Sequence, residues 1–256
     1  MIELQGIGKT FRKGSDEVCA VDAVDLAIEP GTIVALIGPS GCGKSTLLNM
    51  IAGLYPPNAG TVLYQGRPVS DINTDVGYMT QKDNLLPWYN VLDNVALPLE
   101  LAGVARAERE EAARRILAQV DLTGFEQKYP SELSGGMRKR ACLARMLLYG
   151  PKALLLDEPF AALDAQLRMS MHELLLRLWS ENRQTILLVT HDLVEAVTLA
   201  DRVVVFTKRP ATVALDQVVD LGRPRDVLEV RFTDQFRRIY NSIWERLREE
   251  YVEEKL

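Results

Sequence analysis

The nine residues Gly38-Pro39-Ser40-Gly41-Cys42-Gly43-Lys44-Ser45-Thr46 combine closely spaced glycines with a Lys-Ser pair. Groups of these types in this order form loops whose backbone N–H groups cradle phosphates. An apolar run, Ile33–Ile37, precedes the loop as a buried strand, and residues 47–53 follow as a helix-forming run stopped by Gly53. Strand, tight turn and helix start aim several N–H donors and a helix dipole at one point. Lys44 adds a point charge near the β- and γ-phosphates, and the Ser45 hydroxyl suits Mg²⁺. The pattern predicts a nucleoside triphosphate site built from Gly38 through Thr46.

A second group with chemical potential is Ala153-Leu154-Leu155-Leu156-Asp157-Glu158-Pro159, a buried strand ending in two carboxylates. Beside the phosphate loop, Asp157 would hold Mg²⁺ through water, and Glu158 would take a proton from the attacking water. Ser134-Gly135-Gly136 opens a further helix and so offers a second anion-binding N-terminus.

These groups lie far apart in the chain and need a sheet to gather them. Residues 2–7 and 21–28 read as strands separated by a polar loop, 12–16. Residues 153–156, 186–189 and 203–206 read as buried strands next to helices, the alternation of an α/β fold with parallel pairing. No strand is expected over 85–149, where Val91–Leu101, 107–120 and 134–148 read as helices. In the tail, Phe236, Ile239, Tyr240, Ile243, Leu247 and Tyr251 recur at helical spacing. That stripe either packs on the chain's own core or meets a regulatory partner.

The composition is that of an ordinary globular chain: 256 residues, 47% hydrophobic and 25% charged. A net charge of −5 without a basic stripe argues against nucleic acid as a partner. Cys19, Cys42 and Cys142 are odd in number and widely spaced, with Cys42 inside the phosphate loop, which argues against a disulfide framework or zinc site and fits a reducing cytosol better. Neither a secretory signal nor a bilayer-spanning run is expected, so work at a membrane would need another chain.

Leu133-Ser134-Gly135-Gly136-Met137, with Ser134 23 residues before Asp157, resembles the signature motif of ABC-type ATPases. Other elements follow the family's order: Phe11, Gln81 after a strand at Val76–Met79, Ala162-Leu163-Asp164, and His191 closing the strand near residue 190. The resemblance covers nearly the whole chain. It implies an α/β fold, a P-loop NTPase core of ABC type with an inserted helical subdomain and an antiparallel β subdomain. The core would span 1–84 and 150–221, the helical subdomain 85–149, and a C-terminal helical tail 222–256.

The resemblance also implies roles. Two ATPs would be sandwiched between two ATPase subunits, with Ser134, Gly135 and Gly136 covering the γ-phosphate held by the other copy. Asp164 would lie at the dimer seam. His191 would contact the γ-phosphate and position water, and Gln81 would touch Mg²⁺ or water and report to the helical subdomain. Phe11 would stack on adenine or serve as a half-buried loop aromatic. His172 is expected to pack. Met137 stands where the family commonly has Gln, and Phe11 where Tyr is commoner; neither removes the catalytic set.

Gln81-Lys82-Asp83-Asn84-Leu85-Leu86-Pro87-Trp88, Val91-Leu92-Asp93-Asn94-Val95 and the stretch from Asp157 to Ala165 resemble the nitrate/sulfonate/taurine branch of bacterial importers. That branch implies a cytoplasmic ATPase, peripheral on the inner face of the membrane. Its partners would be transmembrane permease subunits, a second ATPase subunit and, indirectly, a periplasmic or extracellular solute-binding protein. Pro87 and Trp88 would lie near the permease-docking groove or anchor their loop. Two alternatives stay open. Residues 133–140 also resemble lipid-transport or export ATPases, and a non-transport ATP switch would carry the same ATPase motifs.

Overall fold

The computed structural model describes residues 1–14 and 16–252; Ser15 of the expected polar loop, the Tyr251 side chain and residues 253–256 lie outside that description. Two sheets form the scaffold. The first is antiparallel, with β1 (Ile2–Lys13), β2 (Asp16–Ile28), β4 (Ala59–Tyr64) and β5 (Arg67–Pro68) in the order β2-β1-β4-β5. The second contains β3 (Ile33–Ile37), β6 (Val76–Met79), β7 (Ala153–Asp157), β8 (Thr185–Val189), β9 (Arg202–Phe206) and β10 (Val213–Val218). Its order is β10-β9-β3-β8-β7-β6, parallel except for β10 at the edge.

Every residue of β3, β7 and β8 is buried, as expected for parallel strands covered on both faces. Successive side chains point to opposite faces, and the core divides accordingly. Ile33, Ala35 and Ile37 join the larger cluster under the helices, while Val34 and Leu36 join the cluster beneath the antiparallel sheet.

The helices are α1 (Lys44–Ile51), α2 (Val91–Leu101), α3 (Arg106–Gln119), α4 (Gly135–Leu147), α5 (Ala165–Asn182), α6 (Leu193–Leu199) and α7 (Asp234–Val252). No strand falls between residues 85 and 149. Asn90, Ser134, Asp164 and Asp192 each cap a helix, the side-chain oxygen accepting from a first-turn N–H. The stripe on α7 packs inward, with Phe236, Ile243 and Leu247 buried in the larger cluster and Ile239 and Tyr240 against it.

The structure departs from the sequence reading at several places. Of the expected polar loop, Arg12 and Lys13 belong to β1 and Asp16 to β2, and Arg12 pairs with Glu17 across the strands at 3.3 Å. An antiparallel ribbon with one wet face tolerates such residues within its strands. Helix α1 starts at Lys44, because Gly43 already caps it. Strands β4, β5 and β10 were not expected. Residues 222–233 hold a 3-10 turn at Glu229–Phe232, and α7 begins only at Asp234. Before that turn, Arg223 and Arg225 tie the segment to Asp201 and to the carbonyls of Leu199, Thr198 and Ala200.

Helix α4 lies close over β6. A Cβ added to Gly77 would sit 2.4 Å from Met146 Cγ and 3.0 Å from Leu154 Cδ2. Gly77→Ala is therefore expected to destabilise the fold by about 1–3 kcal/mol, read as a lower urea midpoint. An unchanged midpoint would mean that α4 retreats freely.

Candidate active site

Parallel β3, β6, β7 and β8 end on the same side of the sheet, and the segments that follow them form the site. After β3, the chain turns through the phosphate loop into α1. Gly43 closes that turn with φ 131°, and a Cβ there would come 2.7 Å from the Ala20 carbonyl oxygen. No side chain caps α1, so its first-turn N–H groups are left to a ligand. Lys44 is 6% exposed and folds back on its own loop. Its ammonium donates to the Gly38 and Pro39 carbonyls at 2.8 and 2.9 Å and meets Cys42 Sγ at 3.6 Å.

At the end of β7, Asp157 Oδ1 accepts from Ser45 Oγ at 3.0 Å. Burial is the main influence raising the Asp157 carboxyl above its ordinary range; the Ser45 hydrogen bond opposes it, Glu158 adds to it and Lys44 lowers it. Glu158 has φ 45°, and its N–H donates to the Val189 carbonyl at 2.9 Å. A left-handed non-glycine residue costs about 1–3 kcal/mol. Here it swings the carboxylate between two loops: Glu158 Oε2 accepts from Gln81 Nε2 at 3.1 Å and lies 3.5 Å from His191 Nδ1. Glu158, Gln81 and His191 thus meet at one oxygen.

A cleft of about 260 Å³ opens over these groups, lined by Phe11, Ser40, Gly41, Lys44, Thr46 and Glu158 among others. Phe11 packs edge-on against Tyr55, ring centroids 5.6 Å apart, with the Lys9 ammonium near both rings. The remaining predicted residues stand elsewhere. Ser134 and Asp164 are exposed and cap α4 and α5, accepting from Met137 N at 3.3 Å and Leu167 N at 2.9 Å. Gly135 and Gly136 open α4, and a Cβ on Gly136 would press on Leu167 of α5. None of these four lines the cleft of its own chain. His172 is buried, 3.1 Å from Glu195 and edge-on to Phe160.

Two features escaped the sequence reading. Arg209 lines the cleft and donates to the Gly41 carbonyl at 2.7 and 3.2 Å. The loop after Gln81 is clamped to α4. Asp83 pairs with Arg138 and Lys139, each at 3.0 Å, and Lys139 also donates to the Gln81 carbonyl at 2.7 Å. Cys142 donates to the Asp83 carbonyl at 2.6 Å, its thiol pushed up to about 11 by burial, and Arg145 donates to the Asn84 carbonyl. The basic residues of α4 were visible in the sequence; their partners were not.

Comparison with known proteins agrees with this architecture. The ABC transporter family model matches residues 21–161. The chain is 42% identical over 242 residues to ABC transporter ATP-binding protein MJ0412 of Methanocaldococcus jannaschii, covering 94% of this chain and 91% of the relative. It is 45% identical over 223 residues to the taurine import ATP-binding protein TauB of Pseudomonas savastanoi pv. phaseolicola, covering 87% and 85%. The dimeric structure of the bacterial ABC transporter cassette MJ0796 superposes with TM-score 0.78 at 32% identity, covering 87% of this chain and all of that one. A post-hydrolysis dimer of the same cassette, bound to ADP and Pi, gives 0.77. The chain belongs to the ABC transporter ATP-binding family. It is the ATP-binding, ATP-hydrolysing subunit of a transporter.

The donor set fits the metal that the family implies. Ser45 Oγ and Asp157 Oδ1 are hard oxygens in direct contact, and Mg²⁺ takes one or two protein oxygens together with substrate phosphates. Without it, an ionised Asp157 works against stability. The folded state holds the Asp157 proton more tightly than the unfolded chain, whose carboxyl titrates near 3.8. The penalty is present at neutral pH and disappears as pH falls through the folded value. Asp157→Asn is therefore expected to raise the melting temperature of nucleotide-free protein at neutral pH. The gap should close in acid, and Mg²⁺-dependent ATP binding should weaken; a lower melting temperature at neutral pH would contradict this.

Proposed function

We propose that the chain powers import of a small solute of the nitrate, sulfonate or taurine class, through a dimer that closes on ATP. The carrying observation is the 44–45% identity to taurine import ATP-binding proteins over about 85% of their length. In this reading the chain sits in the cytoplasm on the inner face of the membrane. Its division into core, helical subdomain and tail follows the ranges inferred from the sequence.

The first turn of α1 donates N–H groups to the phosphates, and Lys44 exchanges its Gly38 and Pro39 carbonyls for phosphate oxygens. Ser45, Asp157 and Gln81 would hold Mg²⁺, which would supply positive charge against the phosphate oxygens. Glu158 accepts the proton of the attacking water, and His191, sharing its oxygen, holds the γ-phosphate side. Phe11 stacks on the base. Ser134, Gly135, Gly136 and Asp164 act on the second copy's nucleotide. The exposure of Ser134 and Asp164 at the starts of their helices supports that assignment. The clamp from Asp83 to α4 makes any movement of Gln81 a movement of the signature helix.

The permease is proposed to dock on the groove between α2, α4 and the loop after β6, about 260 Å³ and lined by Lys82, Asn84, Leu97, Leu101, Arg145 and Tyr149 among others. Trp88 and Leu101 are 67% and 81% exposed; large apolar side chains left in water this way mark contact surfaces. No helix among the described residues is long and apolar enough to cross a membrane.

Affinity capture from native membranes in mild detergent is expected to bring down a multi-span permease with a solute-binding protein. Trp88→Ala should reduce that recovery and leave ATP affinity unchanged; capture of soluble proteins alone would point to a cytosolic switch. Separately, Glu158→Gln should lower hydrolysis by about 10²–10⁴-fold while ATP binding persists in a titration. Normal turnover in that variant would remove Glu158 as the base.

A further inference from the structure

The turn that follows β9 touches the nucleotide cleft on one side and the end of α7 on the other. Arg209 reaches the Gly41 carbonyl with Nε and Nη2. The neighbouring Lys208 N–H donates to Glu250 Oε2 at 3.1 Å. Glu250 is 8% exposed and pairs with Arg246 at 3.0 Å, one turn earlier in α7. The far side of the turn is stitched to β2, where Ala211 N donates to the Ala20 carbonyl and Asp22 N to the Ala211 carbonyl, at 3.0 and 3.1 Å. Arg209 is thus presented to the cleft from a turn gripped at both ends.

Two observations make this more than a surface strap. A carboxylate in the last turn of a helix opposes the helix dipole, and burying it is costly unless it is hydrogen-bonded. Glu250 is held there by two partners, Arg246 within α7 on one oxygen and the backbone of the Arg209 turn on the other. Second, Lys44 and Arg209 are the two cations among the residues lining the cleft. A guanidinium carries five N–H donors. Two Arg209 nitrogens serve the Gly41 carbonyl, so donors remain on a group that flanks the phosphate loop.

We propose that Arg209 binds the phosphate chain of the nucleotide beside the phosphate loop, and that α7 positions it through Glu250. The proposal rests on the reading of the cleft as the ATP site. Arg209 is a binding residue and Glu250 a positioning residue. The tail helix, which the sequence left between core packing and regulation, does both: its apolar stripe packs and its last turn reports to the nucleotide.

Calorimetric titration of ATP into the purified chain, with steady-state hydrolysis, tests this. Arg209→Ala is expected to weaken ATP about tenfold, the size of a lost charge-assisted hydrogen bond, raising KM while kcat holds. Arg209→Lys should recover part of the loss. Glu250→Gln should give a smaller loss in the same direction, with no further loss when combined with Arg209→Ala. Wild-type affinity in folded Arg209→Ala overturns the proposal, and a Glu250→Gln variant that shifts only the melting temperature overturns the role of α7. Lys44→Ala distinguishes the layers. If it loses ATP while Arg209→Ala does not, only the Arg209 assignment fails; if it still binds ATP normally, the reading of the cleft fails with it.

Discussion

In the parallel ladder joining β3, β8, β7 and β6, four carboxyl ends finish in one row, and the chemistry-bearing segments leave from that row. The phosphate loop follows β3, Asp157 closes β7 with Glu158 next, His191 comes just after β8, and Gln81 just after β6. The ladder depends on strands that are apolar on both faces, because helices cover one side and the antiparallel sheet the other. A polar residue within β7 would disturb the core and the spacing of two loops together.

Within that row, Glu158 concentrates the contacts. Its left-handed backbone is strained, yet the Val189 carbonyl fixes its N–H, and its carboxylate gathers Gln81 and His191. Asp83 does for the helical region what Glu158 does for the core. By holding Arg138 and Lys139, it makes the loop after β6 and the start of α4 one body. The cleft and α4 are therefore joined through a few charged contacts, in which Lys139 is buried and Arg138 and Asp83 are partly exposed.

The sequence made the central strands legible because burial on both faces leaves continuous apolar runs, and the phosphate loop because its glycines and lysine have few other uses. Helices α2, α3 and α4 showed through length and periodicity. What stayed hidden was edge and contact. Strand β10 lies at the sheet margin with no fully buried residue, so it carries no continuous apolar signal. Arg12, Asp16 and Glu17 lie where the strands are open to water, so no apolar pattern marks them as strand. Residues 222–233 owe their path to Arg223 and Arg225 reaching back to Asp201, which no local pattern encodes. Arg209 and Gly41 are 168 positions apart, and nothing in either neighbourhood announces the other. Phe11 is intermediate: the family resemblance left it two roles, and it lines the cleft while leaning on Tyr55.

The Lys44 ammonium already has partners within its own loop, since two carbonyls hold it. A ligand does not simply gain this lysine; it must win it from internal competitors. A swapped hydrogen bond nets about 0.5–1.5 kcal/mol rather than its full strength. A lone anion touching only Lys44 therefore gains little. A polyphosphate, which also engages the N–H groups of α1, gains enough to displace both carbonyls. On the proposed reading of the cleft, the loop's own oxygens would set a threshold that favours long phosphate chains over free inorganic phosphate, before any contact with the base is made.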